Sequence, residues 1–272
     1  MKGLLLTIKQ VVIQAELSRP VLTLLGSWAL VMIALPIVSA FASTEVFNML
    51  VVVSVLIQAI TVLVVVTEKW GWWRTFTMAL IAAALSWLVE AVGSATGFPF
   101  GDYDYTPSLQ PQLFGVPLVI PLAWLMMLPP AWAVAQTLVG LRPRWVFILV
   151  SAAAFTAWDL FLDPQMVSWG YWVWEDPTGY FGIPWVNYLG WFLTASLLTF
   201  ILRPQQLPTL PLLVIYTITW ALEAIGLLVF FGLPGPGLVG AIVMGSFVIL
   251  AWRRVVFANQ RSVVTLKPEH NA

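Results

Sequence analysis

The sequence predicts an all-α, polytopic integral membrane protein of about eight transmembrane helices. Three observations carry that prediction: a shortage of charge, apolar runs of membrane-spanning length, and loops that alternate in sign. Of the 272 residues, 61% are hydrophobic and 9% charged, against about 25% charged in ordinary globular domains. So few charges cannot solvate a surface of this size, so lipid must be the solvent for much of it. Apolar runs of about 18 or more residues read as membrane spans. They fall near 21–42, 46–67, 75–96, 114–139, 145–163, 183–202, 209–231 and 236–252. The expectation is one transmembrane domain over 1–272, with 256–272 as a polar cytoplasmic tail.

Each loop supports this division. Lys2, Lys9 and Arg19 precede the first span, and Lys69 and Arg74 separate the second from the third. Arg142 and Arg144 lie between the fourth and fifth, Arg203 between the sixth and seventh, and Arg253, Arg254, Arg261 and Lys267 follow the eighth. All twelve cations therefore fall on one side. The other side carries Glu45, Asp102, Asp104, Glu175 and Asp176 and no cation. Cationic loops stay cytoplasmic, so both termini are expected inside, in the cell's inner (plasma) membrane. The first apolar run is short and flanked by Lys9, Glu16 and Arg19, so no cleavable signal peptide is expected.

Composition also removes function classes. A net charge of zero argues against nucleic acid as a partner. Without cysteine there are no disulfides, catalytic thiolates or iron–sulfur ligands. The single histidine, His270, lies in the tail, so haem or zinc held by helix histidines is excluded. No cofactor or metal is expected.

The chain repeats itself. Trp87-Leu88-Val89-Glu90-Ala91-Val92-Gly93 matches Trp220-Ala221-Leu222-Glu223-Ala224-Ile225-Gly226. Phe114-Gly115-Val116-Pro117, Phe181-Gly182-Ile183-Pro184 and Phe231-Gly232-Leu233-Pro234 form a second set. Gly101, Tyr103 and Tyr105 match Gly170, Trp172 and Trp174 at one constant offset. Three related helical hairpins follow, built from spans three and four, five and six, and seven and eight. The competing explanation is chance similarity in a chain rich in Trp and Gly.

Each hairpin places one acid inside its first span: Glu90, Asp159 and Glu223. Glu90 lies 16 residues after Arg74, Asp159 lies 15 after Arg144, and Glu223 lies 15 after Pro208. At about 1.5 Å per residue each sits roughly 22–24 Å up a core about 30 Å thick. An acid there costs about 2.5–3.5 kcal/mol on insertion scales, and no base at that depth offsets it. The three carboxyls must therefore be protonated, share protons or face a wet cavity. Acid–base chemistry or proton movement is one reading; protonated carboxyls bridging helices is the other. Asp163, one turn beyond Asp159, either faces the same cavity or caps the span. Trp87 and Trp220 share a helix face with Glu90 and Glu223 and are candidates to stabilise a cation. Trp158, adjacent to Asp159, is expected to point elsewhere. Asp102, Tyr103, Asp104, Tyr105 and Asn187 are further candidates for a pocket mouth, although the two loop acids could equally be solvated. The external loops, 97–113 and 164–182, are aromatic enough to act as a lid.

Two stretches resemble a known family. One is Pro99-Phe100-Gly101-Asp102-Tyr103-Asp104-Tyr105-Thr106 running on through Leu113-Phe114-Gly115-Val116-Pro117 to Met127. The other is Trp158-Asp159-Leu160-Phe161-Leu162-Asp163-Pro164-Gln165-Met166-Val167, then Gly170, Trp172, Tyr180-Phe181-Gly182-Ile183-Pro184 and Asn187. Both resemble the membrane carotenoid-biosynthesis family that includes acyclic carotenoid 1,2-hydratases and the bisanhydrobacterioruberin hydratases of haloarchaea. The likeness covers 87–192 and continues to Glu223-Ala224-Ile225-Gly226. It implies addition of water across the C1,2 double bond of a ψ end group, as in γ-carotene or lycopene. It implies a lipophilic carotenoid substrate, contact with membrane lipids and other carotenoid-pathway enzymes, and no redox cofactor. Chemistry then nominates Glu90 and Glu223 as an acid–base pair, Asp159 to position water, and Trp87 and Trp220 to line the cation. The rival expectation is a proton-coupled transporter, since intramembrane acids and internal repeats also mark that class.

Overall fold

The computed structural model describes residues 17–265, with side chains described through residue 260. The cations Lys2, Lys9 and Lys267, together with Glu16 and His270, lie outside that range. Eight helices are long and apolar enough to cross a membrane. They are α1 (Arg19–Phe41), α2 (Thr44–Trp70), α3 (Trp72–Thr96), α4 (Val119–Val139), α5 (Arg144–Ser168), α6 (Trp185–Leu202), α7 (Thr209–Ile225) and α8 (Pro234–Thr265). The chain is an all-α polytopic membrane protein. Its few strands are short: β1 (Tyr103–Tyr105), β2 (Gln112–Leu113), β3 (Val116–Pro117) and β4 (Trp172–Trp174).

Local chemistry sets the ends. Ser18 caps α1 through Val21 N at 3.4 Å and Ser43 caps α2 through Val46 N at 3.5 Å, each occupying a helix-start donor that would otherwise lack a partner. Boundaries differ from the apolar runs where polar atoms find partners. The run beginning at 114 is not yet helix, because Leu113 pairs with Val116 around a tight turn at Phe114 and Gly115. α5 continues through Pro164 to Ser168; membrane helices tolerate proline where neighbouring groups re-satisfy the freed carbonyl. α8 runs on to Thr265, so the first part of the polar tail is helical.

α4 is the hub. It packs against α2, α3, α5, α7 and α8, and every residue from 123 to 135 is buried. Helix association in lipid relies on close packing rather than on apolar transfer. Gly93 on α3 and Gly190 on α6 illustrate this: a Cβ at either would come within 2.6–2.7 Å of the Phe100 ring. Both helices therefore close on Phe100, which fixes the loop that follows it. The outward surface is apolar, with Leu30, Ile33, Leu80, Leu193 and Ile242 more than 45% exposed, as a lipid-facing surface requires.

The repeated motifs have matching structures. Phe114 and Phe181 both adopt φ 50°, followed by Gly115 at 78° and Gly182 at 89°. Both turns are closed by an antiparallel bridge, Leu113 to Val116 and Tyr180 to Ile183. Glycine in the second position accepts the left-handed conformation without a Cβ clash. The third copy departs: Phe231 has φ −94°, and the end of α7 widens into a π turn over Gly226–Phe230. The related loops meet directly, since β1 and β4 pair antiparallel with Tyr103 opposite Trp174 and Tyr105 opposite Trp172.

Candidate functional site

Glu90, Asp163 and Glu223 line one cavity, enclosed by α1 to α7 and roofed by the β1–β4 ribbon. Its empty volume is about 1090 Å³, including the part open to the surroundings. The ribbon alternates, as strands do. Tyr103, Tyr105, Trp172 and Trp174 all line the cavity, whereas Asp102 and Asp104 are exposed. The two loop acids thus sit on the outer face of the lid, while the alternating Tyr103 and Tyr105 reach Glu90.

Glu90 is held by three donors. The hydroxyls of Tyr103 and Tyr105 each donate to Oε2 at 2.8 Å, and Trp124 Nε1 donates to Oε1 at 3.1 Å. Burial, and then the neighbouring Glu90 carboxyl, push both phenols far above the ordinary tyrosine range, so they remain donors. Trp124 packs against Phe155 and Trp191, with ring centroids 4.7 and 4.8 Å away, and those two rings stack on each other at 5.6 Å.

Asp159 and Asp163 form a second group. One turn apart on α5, they interact with each other and share Asn187 of α6. Asn187 Nδ2 donates to Asp159 Oδ2 at 3.4 Å and also contacts Asp163 Oδ2. Asp163 faces the cavity and is buried inside the helix rather than capping it. Asp159 lies behind it, fully buried, with Oδ1 lacking a hydrogen-bond donor among the described residues. Two adjacent buried carboxyls cannot both carry charge cheaply.

Glu223 stands apart from both. Gln165 is its side-chain partner, and Oε2 has no hydrogen-bond partner among the described residues. Trp158 Nε1 and Trp174 Nε1, on the same cavity wall, are also without acceptors there. Gln58 on α2 completes the polar lining, donating to Thr219 Oγ1 at 3.0 Å.

The aromatic wall differs from the expected one. Trp87 is half-buried against Phe114, at 5.9 Å, and does not line the cavity. Trp220 donates from Nε1 to Ala241 O at 2.9 Å and packs on Gly245. Sharing a face with an acid one turn away did not bring these long side chains to the same space. Trp158, expected to point elsewhere, lines the cavity with Trp191. Trp124, Trp191, Gln58 and Gln165 went unread in the sequence. The two amides were findable, as polar groups within or beside apolar runs; the two tryptophans were indistinguishable among sixteen.

The family model for carotenoid biosynthesis proteins matches residues 49–247. The chain belongs to the carotenoid biosynthesis protein family. In this carotenoid biosynthesis protein, the matched region contains Glu90, Asp159, Asp163 and Glu223 and the whole lid. Bisanhydrobacterioruberin hydratase of Haloarcula japonica is 37% identical over 127 residues, covering 45% of this chain and 43% of that protein. The alignment thus spans less than half of the relative's length. No solved structure matches the chain.

Proposed function

We propose that this protein is a carotenoid hydratase, adding water across the C1,2 double bond of an acyclic (ψ) end group such as that of γ-carotene or lycopene. The observation that carries the reading is the convergence of Glu90, Asp163 and Glu223 on one aromatic-walled cavity. Family membership and the named relative support it.

In this mechanism Glu223 is the acid. It is buried beside a neutral amide, with one oxygen unpartnered, and nothing nearby compensates a charge. Its proton goes to C2 of the alkene, and the π electrons form the new C–H bond. A tertiary cation remains at C1. Trp158 and Trp191 present aromatic surfaces to the cavity, and ring faces stabilise positive charge. Water adds to C1, and its surplus proton passes to Glu90, the carboxylate held by Tyr103, Tyr105 and Trp124. The Asp159–Asp163 pair, oriented by Asn187, positions that water. Proton return from Glu90 to Glu223 closes the cycle, so no other cofactor is consumed. Two carboxyls in contrasting environments divide acid and base roles.

The chain would sit in the plasma membrane with both termini cytoplasmic, an orientation that the cation distribution supports. A polyene would then enter from the bilayer, with its end group in the outer leaflet. The test is expression in a lycopene-producing host with mass analysis of the pigments. A product heavier by one water is expected; unchanged lycopene in cells that contain the inserted protein would overturn the proposal.

A further inference from the structure

We infer that the opposite end of the bundle holds a specific site for an anionic phospholipid. Arg142 and Arg144 from the α4–α5 junction and Arg203 from the end of α6 surround one cleft, with Thr199, Gln205 and Gln206. No acid lines it. Three guanidiniums converging without a carboxylate repel one another unless an anion joins them.

The cleft is preorganised. Arg144 donates to the Phe200 carbonyl, and its guanidinium lies 4.8 Å from the Phe200 ring, which leaves its other N–H groups for a ligand. The segment after α6 turns through left-handed conformations at Arg203 (φ 49°) and Gln206 (φ 52°), which non-glycine residues rarely adopt. Two backbone carbonyls of that segment are taken up by groups of α2 and α3. Trp70 Nε1 donates to Gln206 O at 3.1 Å and Arg74 Nη2 to Gln205 O at 3.4 Å. With those carbonyls occupied, the cleft offers chiefly donors.

The chemistry that fits is a phosphate diester, since guanidinium forks match its oxygens in pairs. The occupant is a lipid rather than free phosphate because apolar surface adjoins the arginines. Trp145 is 65% and Phe200 51% exposed, next in sequence to Arg144 and three residues before Arg203, and Leu149 and Leu197 continue this surface one turn along each helix. Acyl chains would lie on that apolar skirt while the headgroup meets the arginines at the interface.

The test is native mass spectrometry of the full-length protein released from nanodiscs of phosphatidylglycerol or phosphatidylcholine. Retention of phosphatidylglycerol but not phosphatidylcholine is expected. Arg142→Gln/Arg203→Gln should weaken it by about fivefold per arginine removed. Arg253→Gln/Arg254→Gln, at a separate cleft, should leave it unchanged, as a control for total charge. Equal retention by the Arg142→Gln/Arg203→Gln variant, or equal retention of phosphatidylcholine, would overturn the inference. So would full competition by free glycerol phosphate, which would mark a phosphate site with no part for the lipid chains.

Discussion

At the scale of single residues, Glu90 shows how a carboxyl can be kept useful inside a membrane. Its two oxygens accept three hydrogen bonds from groups that are themselves anchored by rings. A hydrogen bond to a charged group contributes about 1.5–3 kcal/mol, so Tyr103→Phe should slow hydration about ten- to hundredfold, measured as product formed per unit of inserted protein. Asp104→Asn, on the exposed face of the same strand, should change the rate by less than about twofold. The tryptophans separate in the same way. Trp191→Leu should lower turnover because the ring faces the cavity, whereas Trp87→Leu, packed on Phe114, should leave turnover largely intact. Equal losses from both would remove the aromatic wall from the mechanism.

At the scale of elements, the lid depends on how closely α3 and α6 approach Phe100. Gly190→Ala would drive a methyl to about 2.7 Å from both the Phe100 ring and the Pro99 carbonyl. Overpacking of this kind costs about 1–3 kcal/mol, so the variant should melt at lower temperature in detergent and lose activity through a displaced Tyr103. Much of this level was legible beforehand. Lengths and charge alternation located eight helices, and the constant offset between Tyr103–Tyr105 and Trp172–Trp174 marked the two loops as related without indicating that they pair as strands. What the sequence did not reveal was rotation about each helix axis. Trp158 faces the cavity and Trp220 does not, because neighbouring helices, not local spacing, decide which side of a helix is enclosed. Asp163 was open between cap and cavity until Pro164 proved to lie within a continuing helix.

At the scale of the whole molecule, two chemically different ends follow from one charge pattern. The donor-rich cleft of Arg142, Arg144 and Arg203 lies at one end of the helices, and the acidic, aromatic chamber lies toward the other. Reporter fusions at the loop around Asp104 and at the loop around Arg142 should score on opposite sides of the membrane. The same side for both would break the topology and the depth argument with it. The chamber matters most, because the proposed acid–base addition of water requires its carboxyls to act on one substrate end. The direct measurement is the yield of hydroxylated carotenoid from Glu90→Gln and from Glu223→Gln in lycopene-producing cells, normalised to inserted protein. Each should fall by about a hundredfold or more, since loss of a positioned acid or base has that cost. Wild-type yields from both variants would contradict the account.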